Sequence, residues 1–304
     1  MNIRENSLLN EKYRPTTLDN YVGNDKFKSS IARQLENNDI QNYLFYGTAG
    51  VGKTTLAKII VGNLDCDYLY INASDERGIE TIRDKVSGFA SVASFKPLKV
   101  VILDEADFLT IQAQASLRNI IETFSRTTRF ILTCNYIERV IDPLQSRCQT
   151  IKVMPPTKKE VAVHLASICD KESISYTPTA IGKIVNKFYP DLRKMLNTIQ
   201  SSNIKNELVL DDSLLVSTSY LSAILKELTK TKPKFNVLRQ IIADYNVDDY
   251  EEVFRFLYDN ADKYLPGKSG TAAFLINEHQ YKANFRIDKE INIMSLINNL
   301  ITSK

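Results

Sequence analysis

The chain has 304 residues, a length that suggests about two or three domains. Of these residues 43% are hydrophobic and 25% charged, which is an ordinary globular composition and excludes wholesale disorder. A formal net charge of +3 is too small to identify a nucleic-acid-binding protein, although it is compatible with one. The N-terminus, MNIRENSLLNEKYRP, lacks an apolar signal core, and no run reaches the roughly 18 apolar residues of a membrane helix, so we expect a cytoplasmic protein without a membrane partner.

The first half of the chain alternates short apolar runs with stretches of helical periodicity. The runs predict strands at residues 42–47, 67–74, 99–107, 129–135 and 149–153, and helices between them at 53–64, 78–93 and 112–124. Continuous apolar strands between helices are typical of a parallel sheet covered on both faces. The pattern predicts a doubly wound α/β domain over residues 1–155, whose ligand lies beyond the carboxyl ends of the strands.

Only helical patterns follow the break at MPPT, residues 154–157. We expect one small helical domain over residues 156–228 and a second over residues 229–304. The predicted helices of the former are residues 158–172, 179–189 and 191–202.

The segment GTAGVGKT, residues 47–54, fits the phosphate-loop pattern GxxxxGK[ST]. It follows a predicted strand and opens a predicted helix, which is the context in which this motif binds phosphate. Glycines let backbone N–H groups turn toward phosphate oxygens, Lys53 adds a charge for the β- and γ-phosphates, and Thr54 offers a hydroxyl to Mg²⁺. The alternative, a purely structural glycine turn, does not require this context.

Two acids end the apolar run VVILDEAD. Asp104 suits the Mg²⁺ shell, through water, and Glu105 can polarise an attacking water. Capping of the next helix is the alternative, but it leaves their position opposite a phosphate loop unexplained. The next strand ends in polar residues, of which Asn135 is the candidate to orient that water near the γ-phosphate, although a lone asparagine often only forms a turn.

The cysteines do not have the spacing of a metal site. Cys66, Cys134, Cys148 and Cys169 form no CxxC pair, and the chain has only two histidines. We therefore expect free thiols and no structural zinc.

Together the motifs resemble those of AAA+ ATPases and, more narrowly, of the replication factor C small subunits that load sliding clamps. Boxes similar to that family's occur in the same order at EKYRPTTLDNYVGND (11–25), NASDERGIETIR (72–83), LDEAD (103–107), FILTCNY (130–136), PLQSRC (143–148) and DLRKMLN (191–197). The segment GFASVASF (88–95), PDLRK and the compact length look most similar to the large ATPase subunit of tailed-phage clamp loaders.

The resemblance implies an ATP hydrolase with a AAA+ domain, a helical lid and a helical collar that joins subunits. The residues implied in the adenine pocket are Glu11, Lys12, Tyr13, Arg14 and Val22. Those implied around the phosphates and Mg²⁺ are Gly47, Gly50, Val51, Gly52, Lys53, Thr54, Thr55 and Asp104. Arg193 looks like a second sensor, which reaches the γ-phosphate of its own subunit. Arg147, in SRC, would act in trans on ATP that a neighbouring subunit holds with its Lys53.

By the same resemblance, the helix that begins near Gly78 tracks the DNA backbone. Arg83 is the first candidate for a phosphate contact and Lys85 the second. Arg77 resembles a switch residue that holds Glu105 in an unproductive orientation until DNA draws it away. The alternative for these three is an exposed, solvated helix face.

The implied partners are a sliding clamp, primer–template DNA and other loader subunits, in a hetero-pentamer with four copies of this chain and one small subunit. ATP binding would open the clamp, and primer–template DNA would trigger hydrolysis, inside the infected bacterial cell if the source is a phage.

One alternative function is that of another AAA+ remodeller, such as a helicase loader or a branch-migration motor. A second is a scaffold subunit that binds ATP without hydrolysing it. Departures from the family pattern are Asn119, where many relatives carry a second arginine, and SLLN (7–10), which lacks their tryptophan.

Overall fold

The computed structural model describes residues 8–304 except 211, 246, 248, 249, 284, 286 and 287, with backbone only at 26, 81 and 212–219. The chain forms two compact units, one that ends at Val209 and one that runs from Leu210 to Lys304.

The first unit is built on a parallel sheet of five strands, with the order β2–β3–β4–β1–β5. Its strands are β1 (Tyr43–Tyr46), β2 (Cys66–Asn72), β3 (Leu98–Asp104), β4 (Thr128–Cys134) and β5 (Gln149–Lys152). All five point the same way, so the residues that follow β1, β3 and β4 meet at one edge of the sheet. Both predicted acids and the predicted phosphate loop lie at that edge.

Buried side chains cover both faces of this sheet. In β3, Val100 and Ile102 pack into one apolar cluster, and Val101 and Leu103 pack into the cluster on the other face. A strand with both faces buried needs an unbroken apolar run, which is the pattern that its sequence shows. The predicted doubly wound α/β fold is confirmed.

Outside residues 78–93, the predicted helices of the first unit differ from the observed ones mainly at their ends, and helices at residues 9–12 and 25–36 were not predicted. The observed helices are α1 (Leu9–Lys12), α2 (Asp25–Glu36), α3 (Lys53–Gly62), α4 (Ile79–Thr81), α5 (Ser87–Ser91), α6 (Ile111–Thr123), α7 (Asp142–Gln145), α8 (Lys158–Lys171), α9 (Pro178–Phe188) and α10 (Leu192–Ser201). A two-stranded antiparallel ribbon, β6 (Asn203–Ile204) and β7 (Glu207–Leu208), follows them.

The segment predicted as one helix over residues 78–93 contains a wider turn. A π-helical turn, Ile82–Val86, separates α4 from α5. Ile82 and Val86 are buried in this turn, while Arg83 and Lys85 are exposed on it. The amphipathic pattern therefore identified the buried face but not the change of helix type.

The second unit is helical in its described part. Its helices are α11 (Asp212–Leu228), α12 (Phe235–Asp244), α13 (Tyr250–Asp259), α14 (Ala261–Tyr264), α15 (Ser269–Ala283) and α16 (Lys289–Thr302). Ile224 and Leu228 of α11 belong to the same buried cluster as Leu238 of α12 and Ile297 of α16. This division differs from the boundary expected between residues 228 and 229, because the apolar face of α11 packs with the helices after it.

None of the helices formed by the described residues is both long and apolar enough to cross a membrane.

A capping box begins α8, the helix that brings His164 and, at its C-cap, Glu172 toward the N-terminal segment. The Thr157 side chain accepts a hydrogen bond from the Glu160 N–H, and the Glu160 carboxylate accepts one from the Thr157 N–H. Two N–H groups that would otherwise lack partners at the helix start are thus satisfied.

We expect Thr157→Ala to lower the free energy of unfolding by about 1 kcal/mol, because the first turn of α8 loses its side-chain acceptor. Thr157→Ser is the matched control, since it keeps the hydroxyl. The measurement is the urea midpoint followed by circular dichroism. Equal midpoints for the alanine and serine variants would contradict the capping role.

Candidate nucleotide-binding site

The loop between β1 and α3 has a backbone that requires glycine. Gly50 and Gly52 have φ values of +77° and +94°. A Cβ on Gly50 would collide with the Asp191 carboxylate, and one on Gly52 would lie 3.0 Å from the Tyr21 ring. Tyr21 also donates from its hydroxyl to the Val51 carbonyl, 3.2 Å away. The loop is thus fixed by its own conformation and by neighbours from elsewhere in the chain.

Lys53, the first residue of α3, is only 8% exposed. Its Nζ donates to the Gly47 carbonyl at 2.9 Å, the Thr48 carbonyl at 2.8 Å and Asn135 Oδ1 at 2.7 Å. Burial lowers the pKa of Lys53, and nearby negative groups, Asp104 among them, oppose this effect. The structure therefore brings the predicted sensor asparagine into contact with the predicted phosphate-binding lysine.

Asp104 collects hydrogen bonds from three surrounding elements. Thr54 Oγ1 lies 2.8 and 3.0 Å from its two carboxylate oxygens, and the Tyr70 hydroxyl donates to it at 2.8 Å. The Thr133 hydroxyl donates to it as well. A hydroxyl and a carboxylate side by side are oxygen ligands of the kind that Mg²⁺ prefers, with waters and phosphate oxygens to complete its shell. These two residues fit the ion that the sequence implies.

Glu105 leaves β3 in a left-handed backbone conformation, with φ +56°. This conformation is uncommon for a residue other than glycine, and the Glu105 N–H is held by Thr133 Oγ1 at 3.1 Å. The Glu105 side chain makes no capping hydrogen bond to the short 3₁₀ turn that follows, and it lines the pocket beside Lys53. Helix capping, the alternative for this acid, therefore has no support in the geometry.

One pocket joins these groups to the N-terminal segment and to α10. Of the residues predicted from the sequence, its lining includes Glu11, Tyr13, Arg14, Val22, Gly50, Val51, Gly52, Lys53, Thr54, Thr55, Asp104, Glu105, Asn135 and Arg193. The lining residues without an assigned role in the sequence analysis are Asn10, Pro15, Tyr21, Ala49, Thr133, Cys134, His164, Leu192 and Leu196. Gly47 contributes its carbonyl to Lys53 without being part of the wall.

Lys12 was expected to line the adenine pocket, but it does not line the pocket in the structure. Its Nζ pairs with Glu172 at 2.5 Å, and the Tyr13 hydroxyl donates to the same carboxylate. Glu11 instead pairs with Arg14, whose hydrogen bond holds the pKa of that carboxyl below its usual value. The carboxylate at the end of α8 thus draws Lys12 away from the pocket.

The α8–α10 region contributes residues that the sequence analysis missed. Asp191 caps α10 by accepting from the Arg193 N–H at 3.0 Å and the Lys194 N–H at 3.1 Å, and it also abuts Gly50. His164 is half-buried in the wall, and burial lowers its pKa. A histidine in an amphipathic helix, one of only two in the chain, was the available signal.

Arg147 lies outside the pocket of its own chain. Its Nε donates to Glu122 Oε1 at 2.7 Å, and its Nη1 donates to the Pro143 carbonyl at 2.5 Å. Burial raises the pKa of the adjacent Cys148 to about 12, so this thiol is protonated at neutral pH. The action of Arg147 in trans remains a prediction.

The three basic residues predicted to face DNA have different surroundings. Arg83 is exposed and makes no ion pair with another described residue, whereas Lys85 pairs with Glu76 at 2.7 Å. Arg77 donates to the Ser74 carbonyl at 3.1 Å, and its guanidinium lies 5.9 Å from the Phe108 ring centroid. Within the described part of the chain no ion pair joins Arg77 to Glu105, so the contact expected of a switch residue is absent from this conformation.

Comparisons with known proteins agree with this geometry. The profile of the ATPase family associated with various cellular activities (AAA) matches residues 43–156. The replication factor C small subunit of Archaeoglobus fulgidus is 34% identical over 88% of this chain and 91% of its own, and that of Sulfurisphaera tokodaii is 33% identical over 98% and 96%. Among solved structures, the Thermotoga maritima RuvB Holliday junction branch migration motor superposes with a TM-score of 0.58. The match covers 83% of this chain and 91% of that chain at 16% sequence identity, so it shows a similarity of fold alone.

We expect Thr133→Val to reduce ATP hydrolysis about 10- to 100-fold, because Asp104 loses a donor and the Glu105 N–H loses its acceptor. Thr128→Val is the matched control, since Thr128 is equally buried at the other end of the same strand. Steady-state ATPase assays at saturating Mg²⁺ and ATP compare the two. If both variants lose the same activity, the effect belongs to the packing of β4 and not to the site.

Proposed function

The chain belongs to the replication factor C small subunit family and is an ATP-hydrolysing subunit of a clamp loader in DNA replication; we propose that its ATP-bound form opens the clamp and that primer–template DNA triggers hydrolysis. The observation that carries this proposal is the convergence of Lys53, Asp104, Glu105, Asn135 and Arg193 on one pocket. Hydrolysis would then leave the clamp closed on DNA.

In the proposed reaction, water attacks the γ-phosphorus of ATP, and the bond to the β–γ bridging oxygen breaks. Glu105 accepts a hydrogen bond from that water and draws off its proton, while Asn135 holds the water in line. Lys53 neutralises charge on the β- and γ-phosphates. Mg²⁺, held by Thr54 and through water by Asp104, would supply further positive charge there when bound. The products are ADP and phosphate.

The position of Arg147 supports a site shared between subunits. Its guanidinium is held by Glu122 outside the pocket of its own chain, so any nucleotide it serves would be bound by a neighbouring copy, and Arg147 would have to leave Glu122 to reach it. A guanidinium placed beside a transferring phosphoryl group accelerates hydrolysis by about 10³- to 10⁵-fold in related systems. Hydrolysis would then require correct assembly. Arg193, which lines the pocket of its own chain, is the proposed second sensor.

The proposed role in DNA binding rests on the exposed basic side chains of the α4–α5 segment. Arg83 has its charge uncommitted among the described residues and is the better candidate for a phosphate contact. Lys85 would first have to leave Glu76. Arg77 would have to leave Ser74 and Phe108 to reach Glu105, so its proposed switch involves a second conformation.

The proposed assembly is a hetero-pentamer with four copies of this chain and one small subunit, working in the cytoplasm. Within it, the helices from residue 156 would serve as a lid, and residues 229–304 would form a collar. The proposed source is a tailed phage, and the proposed counterpart of this chain is the large ATPase subunit of the phage clamp loader. The intact set of Lys53, Asp104, Glu105 and Arg147 argues against a scaffold subunit without activity.

We expect ATP hydrolysis by the purified chain, with its small partner subunit, to rise strongly only when both clamp and primed DNA are present. The reason is that these ligands must bring the subunits of the proposed hetero-pentamer into the correct arrangement before Arg147 meets the nucleotide site of its neighbour. Steady-state phosphate release with each ligand omitted in turn measures this. Hydrolysis that ignores both ligands would favour another AAA+ remodeller.

We expect Lys53→Ala and Arg147→Ala assemblies to be inactive separately and to regain part of the activity when mixed. A mixed interface can place an intact Lys53 site beside an intact Arg147 of the next chain. Arg126→Ala, which removes an exposed arginine without an ion pair among the described residues, is the control and should retain activity. Mass photometry establishes that each variant assembles. Mixed assemblies that stay inactive would contradict the shared site.

A further inference from the structure

Tyr70, a residue outside the nucleotide pocket, holds the carboxylate that is proposed to serve the metal ion. Its hydroxyl donates to Asp104 Oδ2 at 2.8 Å. Asp104 is part of the pocket lining, and Tyr70 is not. The sequence analysis gave Tyr70 no role. Its position in the structure indicates that it acts on the site through the carboxylate that it contacts.

The hydrogen bonds to Asp104 divide between its two oxygens. Thr133 donates to Oδ1, and Tyr70 donates to Oδ2. Thr54 Oγ1 lies between them, 2.8 Å from Oδ1 and 3.0 Å from Oδ2. A carboxylate held at each oxygen from a different strand cannot rotate without losing a hydrogen bond. The two strand residues therefore fix the plane of the carboxylate.

Among these three donors, Tyr70 has the simplest set of contacts. Thr54 is itself a proposed Mg²⁺ ligand, so its oxygen would face the ion when the ion is bound. Thr133 also accepts from the Glu105 N–H at 3.1 Å. The Tyr70 hydroxyl makes no second hydrogen bond with a described residue. Loss of that hydroxyl would thus remove a hydrogen bond from Asp104 and from no other group in the described part of the chain.

The Tyr70 ring is held by the helix that follows the phosphate loop. Lys58 Nζ lies 5.0 Å from the ring centroid, which is a cation–π contact. Lys58 follows Thr54 by four residues in α3, so the two side chains are neighbours on one face of that helix. The backbone of Tyr70 is fixed as well, because it lies opposite Ile102 in the pairing of β2 with β3. The hydroxyl is therefore preorganised toward Asp104.

We infer that Tyr70 is a positioning residue for the metal ion, because its hydroxyl sets the orientation in which Asp104 serves the Mg²⁺ shell. Groups that hydrogen-bond to metal-binding carboxylates orient them, and their loss typically lowers metal affinity about 10- to 100-fold. The inference rests on the proposed binding of Mg²⁺ by Thr54 and Asp104. It adds a residue that would set the affinity for that ion without touching the nucleotide.

The variant that tests this role removes the hydroxyl alone. Tyr70→Phe keeps the ring and its contact with Lys58. Tyr68→Phe is the matched control, because Tyr68 is on the same strand, is 58% exposed and has no hydrogen bond to another described residue. The probe is Mn²⁺, which accepts the same oxygen ligands as Mg²⁺ and whose free concentration is measured by electron paramagnetic resonance.

Mn²⁺ is titrated into the full chain, which is in excess over a non-hydrolysable ATP analogue. We expect Tyr70→Phe to raise the dissociation constant of Mn²⁺ about tenfold, and Tyr68→Phe to leave it at the wild-type value. A fluorescent form of the analogue, measured in EDTA, should bind all three chains equally, because Tyr70 does not line the pocket. A purely structural role of Tyr70 would weaken binding in EDTA too.

A Tyr70→Phe chain with the wild-type dissociation constant for Mn²⁺ would overturn the inference and leave the proposed function intact. Equal losses in Tyr70→Phe and Tyr68→Phe, or weaker binding of the analogue to Tyr70→Phe in EDTA, would also overturn it. Those effects would belong to β2 or to the pocket. A wild-type chain that binds the analogue but no Mn²⁺ would remove the proposed metal site and the inference with it. A wild-type chain that does not bind the analogue would remove the nucleotide site on which the proposed function depends.

Discussion

The buried carboxylate of Asp104 is the interaction on which the rest of the site depends. A carboxylate taken from water is costly unless donors surround it, and here the donors come from Thr54, Tyr70 and Thr133. Each belongs to a different element, so satisfying this one group aligns the start of α3 with β2 and β4. Thr133 also holds the Glu105 N–H, and so the position of the acid proposed to act on water follows from the same network.

A second network fixes the end of β4 against the phosphate loop. The buried Asp107 accepts from the N–H groups of Asn135 and Tyr136, each at 3.2 Å. Asn135 can then present its side-chain oxygen to Lys53. Lys53, proposed to meet the phosphates, and Asn135, proposed to orient water, are therefore linked directly, so a displacement of one side chain displaces the other.

The pocket is closed by parts of the chain that lie far apart in sequence. Asp191 abuts Gly50, and Glu172 receives both Lys12 and the Tyr13 hydroxyl. The N-terminal segment is therefore bound to α8 and α10, and all three contribute to the wall of the pocket. The shape of this pocket therefore depends on the arrangement of these helices.

The sequence by itself determined the parallel sheet, the phosphate loop, the paired acids and the family, because apolar runs and short fixed spacings encode them locally. Fourteen of the residues assigned to the site line one pocket. Those of the phosphate loop, the acids and Asn135 meet because parallel strands bring their carboxyl ends to one edge, whereas those of the N-terminal segment and α10 were assigned through the family resemblance. Only the tertiary structure decided that Lys12 turns to Glu172 and that Asp191 meets Gly50. Those contacts join residues more than 100 positions apart, and they arise from packing that no local pattern encodes.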